Sequence, residues 1–325
     1  MYFDIHWEIR FYNDQGQFHL GTLKEVEINS SVDNLTDTAI ITLPEAYMNS
    51  VFQLEKTLTR GTKVIIELGY NGELEKEFEG YIQDISTDGG AIKIKCEDAL
   101  FLFRKAVKDV ELKPTSLKKI AQYITGQIDG SFKVVCEEYD LSYEKFVIHQ
   151  ATGYDVLKKL QEETKANIYF NTDKKELHIH PPYTEKTGDV WYSAQDNIQN
   201  ISLDYKKKID RKVEVTVERT LLNGKVNSFK TGTTGGDSVT LKIGAFDDAS
   251  AMKIANAELL KRSSDGYEGS IDSWLLPFVQ PSYTADIADA DYPEKDGQYY
   301  VIAVKTTVSA SGGKRNIQLG VKLSM

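Results

Sequence analysis

The chain has 325 residues, 41% of them hydrophobic and 27% charged, a composition that supports about two globular domains. Its 39 basic and 49 acidic residues leave a net charge of −10, which argues against a nucleic-acid-binding protein, because that class carries a basic footprint. The longest apolar runs, Trp274–Val279 and Tyr299–Val304, span six residues, far short of the roughly 20 that a membrane span needs.

The start, Met1-Tyr2-Phe3-Asp4-Ile5-His6, has neither the basic residues nor the apolar stretch of a signal peptide, so folding in a cytoplasm is expected. Cys96 and Cys136 are too few for a disulfide framework and wrongly spaced for zinc. They read as buried reduced thiols.

Period-two alternation opens the chain. Phe3, Ile5, Trp7, Ile9 and Phe11 face one way, with a turn at Asn13-Asp14-Gln15-Gly16. Val64, Ile66, Leu68 and Tyr70 line one face of a strand that runs into Asn71-Gly72, a type I′ hairpin signal. Ile92, Ile94 and Cys96 alternate with Lys93 and Lys95 after Asp88-Gly89-Gly90. Residues 1–97 therefore read as an antiparallel sheet with one wet face, closed by a short apolar helix over 98–104.

The middle changes period. Thr115 or Ser116 caps a helix with Leu117, Ile120, Ala121 and Ile124 on one stripe, ended by Gly126 or Gly130. A second helix starts near Thr152, with Asp155 three residues on in an imperfect capping box, and its stripe is Val156, Leu157, Leu160 and Thr164. Strands at 167–171 and 176–180 follow, until Pro181-Pro182 stops the pattern.

Strands then return. Val213, Val215 and Val217 alternate before an Asn223-Gly224 hairpin. A helix is expected over 248–263, with Met252, Ala255 and Leu259 inward, beside Ile254 or Arg262. Tyr300, Ile302, Val304, Thr306 and Val308 form the penultimate strand, Ser311-Gly312-Gly313 turns it, and Ile317, Leu319, Val321 and Leu323 form the last. Residues 80–96 and 299–319 share the form strand, small polar turn, alternating strand, which suggests one plan used twice. The expected domains are 1–105, a first β region; 106–185, a small α+β unit; and 186–325, a second β region with an acidic insert at 232–298.

Catalytic constellations are missing from this pattern: there is no H-E-x-x-H, G-x-S-x-G, P-loop or C-x-x-C. Gly232-Thr233-Thr234-Gly235-Gly236 reads as a flexible loop. His178 and His180 flank Ile179 at metal-ligand spacing, but Leu177 and Ile179 hold the apolar face, so the histidines and Glu176 read as a solvated strand face. Asp286, Asp289, Asp291, Glu294 and Asp296 lack the calcium-loop spacing and read as an acidic surface facing a partner. Lys206, Lys207 and Lys208, with Arg211 and Lys212, form the one basic cluster. It reads as a solvated strand edge, where lysine discourages wrong pairing, or as a contact for an acidic protein. No catalytic residue, metal or cofactor is expected. A carbohydrate-binding β-sandwich would need Trp7, Trp191 and Trp274 on one surface. A cell-wall hydrolase would need paired carboxylates in a cleft, and Glu162-Glu163 on a helix point apart.

The order of parts carries a resemblance. A β region ends in Cys96-Glu97-Asp98, Ala151-Thr152-Gly153-Tyr154-Asp155-Val156-Leu157 opens the second helix, a two-stranded piece follows at Ile168-Tyr169-Phe170 and Leu177-His178-Ile179, and Gly297-Gln298-Tyr299-Tyr300-Val301-Ile302-Ala303-Val304 leads to the final hairpin. Over nearly its whole length the chain resembles the baseplate hub proteins of contractile phage tails, the late control gene D family with its Mu-like and XkdQ-type relatives. The resemblance implies a mainly β fold, two tail-tube-like antiparallel β-barrel domains plus a small α+β domain. It also implies a homotrimer whose six barrels make a pseudo-sixfold ring between the hexameric tail tube and the trimeric central spike. The expected partners are the tube, the spike and other baseplate proteins, in a virion assembled in the host cytoplasm. Hubs of non-contractile tails or of phage-derived bacteriocins and injection machines fit the same pattern.

Overall fold

In the computed structural model, residues 4–14, 16–44, 58–88, 91–206, 212–221, 224–263 and 266–323 are described. Seven strands come first: β1 (Ile5–Asn13), β2 (Gly16–His19), β3 (Glu25–Ser31), β4 (Thr38–Leu43), β5 (Lys63–Tyr70), β6 (Glu73–Asp88) and β7 (Ala91–Glu97). A 3-10 helix, Ala99–Arg104, follows. Next come β8 (Val110–Leu112), β9 (Thr115–Ser116), α1 (Leu117–Ile128), β10 (Lys133–Val135), β11 (Ser142–Tyr143), β12 (Phe146–Ile148), α2 (Gly153–Thr164), β13 (Asn167–Asn171) and β14 (Glu176–His180). The remainder is β15 (Gly188–Ser193), β16 (Ile198–Lys206), β17 (Val213–Thr220), β18 (Val226–Gly232), β19 (Asp237–Ile243), α3 (Asp248–Ser263), β20 (Gly266–Ser273), β21 (Tyr283–Ala288), β22 (Gly297–Ser309) and β23 (Gly312–Lys322). The protein is mainly β, with its helices gathered in the middle of the chain and in α3.

Two compact units emerge, and both are discontinuous in sequence. The first comprises 1–101, 187–203 and 269–319; the second comprises 102–186, 204–268 and 320–325. These boundaries cut across the expected 1–105, 106–185 and 186–325, because residues 204–268 group with the α+β segment.

The first unit is built on one 13-stranded sheet, in the order β16-β20-β23-β22-β3-β4-β7-β6-β5-β1-β2, with β21 branching from β22 and β15 from β21. The expected alternation forms its core. Ile9, Phe11, Val64, Ile66, Leu68, Ile92, Ile94 and Cys96 are buried, with Ile5 and Trp7 packed against them. Asn71 and Gly72 take φ of 55° and 86°, as a type I′ turn requires. Gly89 and Gly90, expected to turn the next hairpin, lie outside the described residues, but Asp88 pairs with Ala91 across it. The final hairpin, β22–β23, meets the first region where β22 pairs with β3, Thr306 opposite Ile28. The sheet is not wholly antiparallel as expected: β15 runs parallel to β21. The connection between these two strands, residues 194–282, is 89 residues long, ample for the crossover that a parallel pair needs.

In the second unit, Ser116 caps α1 by accepting from the Lys119 backbone N–H, and Leu117, Ile120, Ala121 and Ile124 are buried. The helix runs through Gly126 and ends at Ile128, where the Asp129 N–H donates to Thr125 O at 2.9 Å. At α2 the capping box is complete. The Asp155 N–H donates to Thr152 Oγ1 at 3.1 Å, and the Thr152 N–H donates to Asp155 Oδ2 at 2.9 Å. Both helices belong with the sheet β10-β14-β13, whose parallel pair β10–β14 has no local signal. Phe103, Phe132 and Phe170 meet with centroids 4.9–5.6 Å apart, within the range of favourable ring contacts.

The sheet β18-β17-β19 buries Val213, Val215 and Val217 and packs against α3. Asn223 of the expected hairpin lies outside the described residues, while Gly224 has φ of 77°. The stripe of α3 is Ala251, Ile254, Ala255 and Glu258, all buried, and Met252 is exposed. Ala255 and Ile254 point inward as expected, but Ala251 and Glu258 stand where Met252 and Leu259 were expected, because those four share one face at i, i+3, i+4 and i+7. Both cysteines are buried and free. No described helix is long and apolar enough to cross a membrane.

Candidate functional site

The acidic residues singled out in the sequence divide into two kinds. Asp286 is exposed on β21, opposite Gln298. Asp289 is buried and organises the loop that follows: its Oδ1 accepts from the Asp291 N–H at 3.1 Å and the Tyr292 N–H at 3.2 Å. Its own N–H donates to Asp296 Oδ1 at 2.7 Å. This is the local side-chain-to-backbone bonding at which aspartate excels. Gln195 braces the loop, accepting from the Ala290 N–H at 3.2 Å. Lys295 lies over the Tyr292 ring at 4.1 Å, and its carbonyl accepts from the Tyr299 hydroxyl at 2.7 Å. Asp289 and Asp296 are therefore spent on loop shape. Asp286, Asp291 and Glu294, together with the exposed side of Asp296, form the exposed charge.

Of the basic cluster, Lys206 ends β16, a strand at the end of the sheet order. Lys207, Lys208 and Arg211 lie outside the described residues. Trp7 packs against the core, whereas Trp191 and Trp274 are exposed, so the three do not make one aromatic platform. Glu162 and Glu163 diverge as expected, with side chains 66% and 18% exposed. Glu163 lines a cavity of about 360 Å³ with Tyr143, Lys145, Phe146, Lys159 and Leu221. Burial raises the Glu163 carboxyl above its ordinary range, against the pull of Lys159.

The largest departure from the sequence reading is at His178 and His180. Their face of β14 is not a solvated one: both side chains are 12% exposed. Tyr169, opposite His178 on β13, stacks on the His178 ring with centroids 5.0 Å apart and planes 13° apart. Beyond Pro181-Pro182 the chain returns Glu185 to the same face. His178 Nδ1 lies 3.1 Å from His180 Nε2 and 3.4 Å from Glu185 Oε1, and His180 Nε2 lies 3.2 Å from that oxygen. The Tyr169 hydroxyl donates to the other Glu185 oxygen. Glu176 Oε2 sits 3.0 Å from His178 Nε2. Among the described residues, His178, His180 and Glu185 are the one set of three His, Cys, Asp or Glu side chains whose ligand atoms converge within 4.8 Å.

Electrostatics follow from that enclosure. Burial, then the neighbouring His178, hold the His180 imidazole down at about 4. Burial, then the charge of Glu138, lift the Glu185 carboxyl to about 7. Burial also lowers His178, against the raising effect of Glu176. The local signal for the cluster was the two prolines, which turn the chain back at His180; the pairing of Tyr169 with His178 had none.

No protein-family model matches the chain, and no curated protein matches it in sequence. Solved structures do match in fold. The tail protein from Neisseria meningitidis MC58 superposes with a TM-score of 0.67 at 13% identity, covering 98% of this chain and 96% of that one. The 43 kDa tail protein of prophage MuSo2 from Shewanella oneidensis gives 0.65 at 14% identity, over 97% and 98%. The E. coli c3393 protein gives 0.60 at 9% identity, over 97% and 77%. It is a component of the type VI secretion system with structural similarity to the T4 bacteriophage tail proteins gp27 and gp5. The chain therefore has the fold of phage tail proteins.

Proposed function

We propose that this chain is a structural component of a phage or phage-like tail, and specifically the baseplate hub between tail tube and central spike. The observation that carries this reading is the end-to-end correspondence with two tail proteins, which leaves no large segment on either side unmatched. In this reading the β strands of 1–105 and those that the last region, 186–325, contributes through 187–203 and 269–319 act as tail-tube-like barrels, while 204–268 groups with the α+β segment 106–185. Three chains form a pseudo-sixfold ring, so one barrel plan used twice presents six similar faces to a hexameric tube and keeps threefold symmetry for the spike. The role is structural rather than enzymatic.

The strand edges support assembly. Within the 13-stranded sheet, β2, β15 and β16 each have a single hydrogen-bonded neighbour among the described strands. Such edges find partners by strand addition. The exposed carboxylates Asp286, Asp291 and Glu294, and the Lys206, Lys207 and Lys208 cluster, are the proposed contacts with neighbouring baseplate proteins. An acidic inner wall would keep DNA from sticking in the passage. The likeness to a type VI secretion component supports a second version, the hub of an injection machine without a genome to pass.

Light scattering across a dilution series tests the trimer. A species of three times 36.6 kDa, or a monomer that becomes a trimer when co-expressed with its neighbouring tube and spike proteins, is the expected result. A monomer that captures neither protein overturns the proposal. A gene for a sheath protein beside this one marks a contractile tail, and its absence beside tube and spike genes marks the non-contractile version.

A further inference from the structure

We infer that His178 Nδ1, His180 Nε2 and Glu185 Oε1 bind one divalent transition-metal ion, with zinc the best fit. This holds independently of the tail assignment. The three atoms form a nearly equilateral triangle with edges of 3.1, 3.2 and 3.4 Å. In a tetrahedral zinc site with bonds of about 2.0–2.1 Å, neighbouring ligand atoms are about 3.3 Å apart. The triangle is one face of that tetrahedron, already assembled by β14 and the turn after it. Two imidazoles and a carboxylate suit zinc and its first-row neighbours rather than calcium or magnesium, which take oxygen donors.

The surroundings supply what a metal ligand needs. Glu176 Oε2, 3.0 Å from His178 Nε2, holds the ring proton on that nitrogen and turns the Nδ1 lone pair toward the triangle. This is the carboxylate–histidine–metal arrangement found around bound zinc. The Tyr169 hydroxyl fixes the second Glu185 oxygen, and its ring stacks on His178. Hydrogen bonding alone serves the triangle poorly. With His178 Nδ1 an acceptor, a single proton on His180 Nε2 or on Glu185 can serve only one edge of the triangle at a time. An ion satisfies all three atoms at once. The surrounding charge also favours a cation: Glu176 lies beside His178, Glu185 lies beside both histidines, and Glu138 acts on Glu185, opposed by Lys174 at His178. The ion would tie the segment beyond Pro181-Pro182 to β14.

The test uses the full chain, stripped with a chelator and then titrated with zinc chloride by calorimetry, with bound metal counted by mass spectrometry after gel filtration. One zinc per chain is expected. His180→Gln and Glu185→Gln should each abolish stoichiometric binding, and Glu176→Gln should weaken it by about tenfold to 100-fold, the usual cost of losing an outer partner. Far-UV circular dichroism of the stripped variants should match the stripped parent, which separates lost ligation from lost folding. Cobalt substitution should give intense visible bands of tetrahedral coordination without a thiolate charge-transfer band, since both cysteines lie elsewhere. Failure of the parent to hold zinc overturns the inference. So does retention of zinc by both folded ligand variants, or a thiolate band in the cobalt form. Should His180→Gln not fold, Glu185→Gln decides alone.

Discussion

Arg315 of β23 and Glu77 of β6 form a buried ion pair across 238 residues of sequence, with side chains 1% and 4% exposed. The guanidinium donates from Nη1 to Glu77 Oε2 at 3.0 Å and from Nη2 to Oε1 at 2.5 Å. It also donates to the Leu275 carbonyl at 3.0 and 2.9 Å, and lies over Phe278. Glu77 reaches this position because it is the extra residue of a β-bulge: Phe78 pairs with Ile66 and Lys76 with Glu67, leaving Glu77 unpaired between them. Bulges re-aim a side chain in this way, here turning a carboxylate inward.

Removing one partner should be costly, because the other charge stays buried. Glu77→Gln is expected to destabilise the protein by about 3–5 kcal/mol. The combined Glu77→Gln, Arg315→Met variant should lose less than the sum of the two single losses. Urea denaturation of the four proteins of this cycle measures it, and additive losses would show that the pair is not coupled.

Asp98 is buried and accepts from the Asp37 N–H at 3.2 Å and the Leu100 N–H at 2.9 Å; Asp37 accepts from the Ser31 N–H at 3.0 Å. Burial lifts Asp37 from 3.8 to about 6, and burial with the adjacent Asp37 charge lifts Asp98 further. The folded state therefore holds protons that the unfolded chain has released above about pH 4. Unfolding releases protons in this window, so the contribution of Asp37 is full below about pH 4 and is lost as pH rises through about 6, and that of Asp98 is lost at higher pH. Asp37→Asn should flatten the fall in Tm between pH 4 and 6. Parallel Tm curves for variant and parent would refute the assignment.

The Thr152 hydroxyl and the Asp155 carboxylate each supply one half of the capping box at the start of α2. Thr152→Ala should cost about 1 kcal/mol, and Thr152→Ser should restore most of it, since the hydroxyl is the group that caps. Comparison of denaturation midpoints decides, and an equal loss in both variants would point to packing of the threonine methyl instead.

Gly80 lies where β6 passes β7, and a Cβ there would sit 2.1 Å from the Glu97 carbonyl oxygen and 2.8 Å from the Phe78 ring. The carbonyl belongs to the backbone and cannot swing aside as a side chain would. Gly80→Ala is expected to lose at least about 2 kcal/mol through overpacking. Unchanged stability would mean that the two strands separate at no cost.

Much of the fold was legible locally. The buried faces of β1, β5, β7 and β17, the Asn71-Gly72 turn, the stripes of α1 and α2, and the bounds of β13, β14 and α3 all follow from side-chain period and capping chemistry within about ten residues. The candidate sites were legible only in part. Asp289 carries the same charge as Asp291, yet one is buried in its own loop and the other exposed, a difference made by which backbone N–H groups the loop brings near. His178 and His180 occupy the polar face of an amphipathic strand, and alternation alone assigns that face to water.

What the sequence by itself determined is therefore the set of elements and which side of each is apolar, because these depend on neighbours in the chain. The tertiary structure decided the rest. Joining β22 to β3, β15 to β21 and β10 to β14 depends on backbone hydrogen bonds between distant segments, which any strand edge can supply and no local pattern specifies. Covering the β14 histidines with Tyr169 and Glu185, and placing Arg315 against Glu77, convert residues that look like surface into buried groups. Burial is set by what packs on a face, and that partner is chosen by the whole chain.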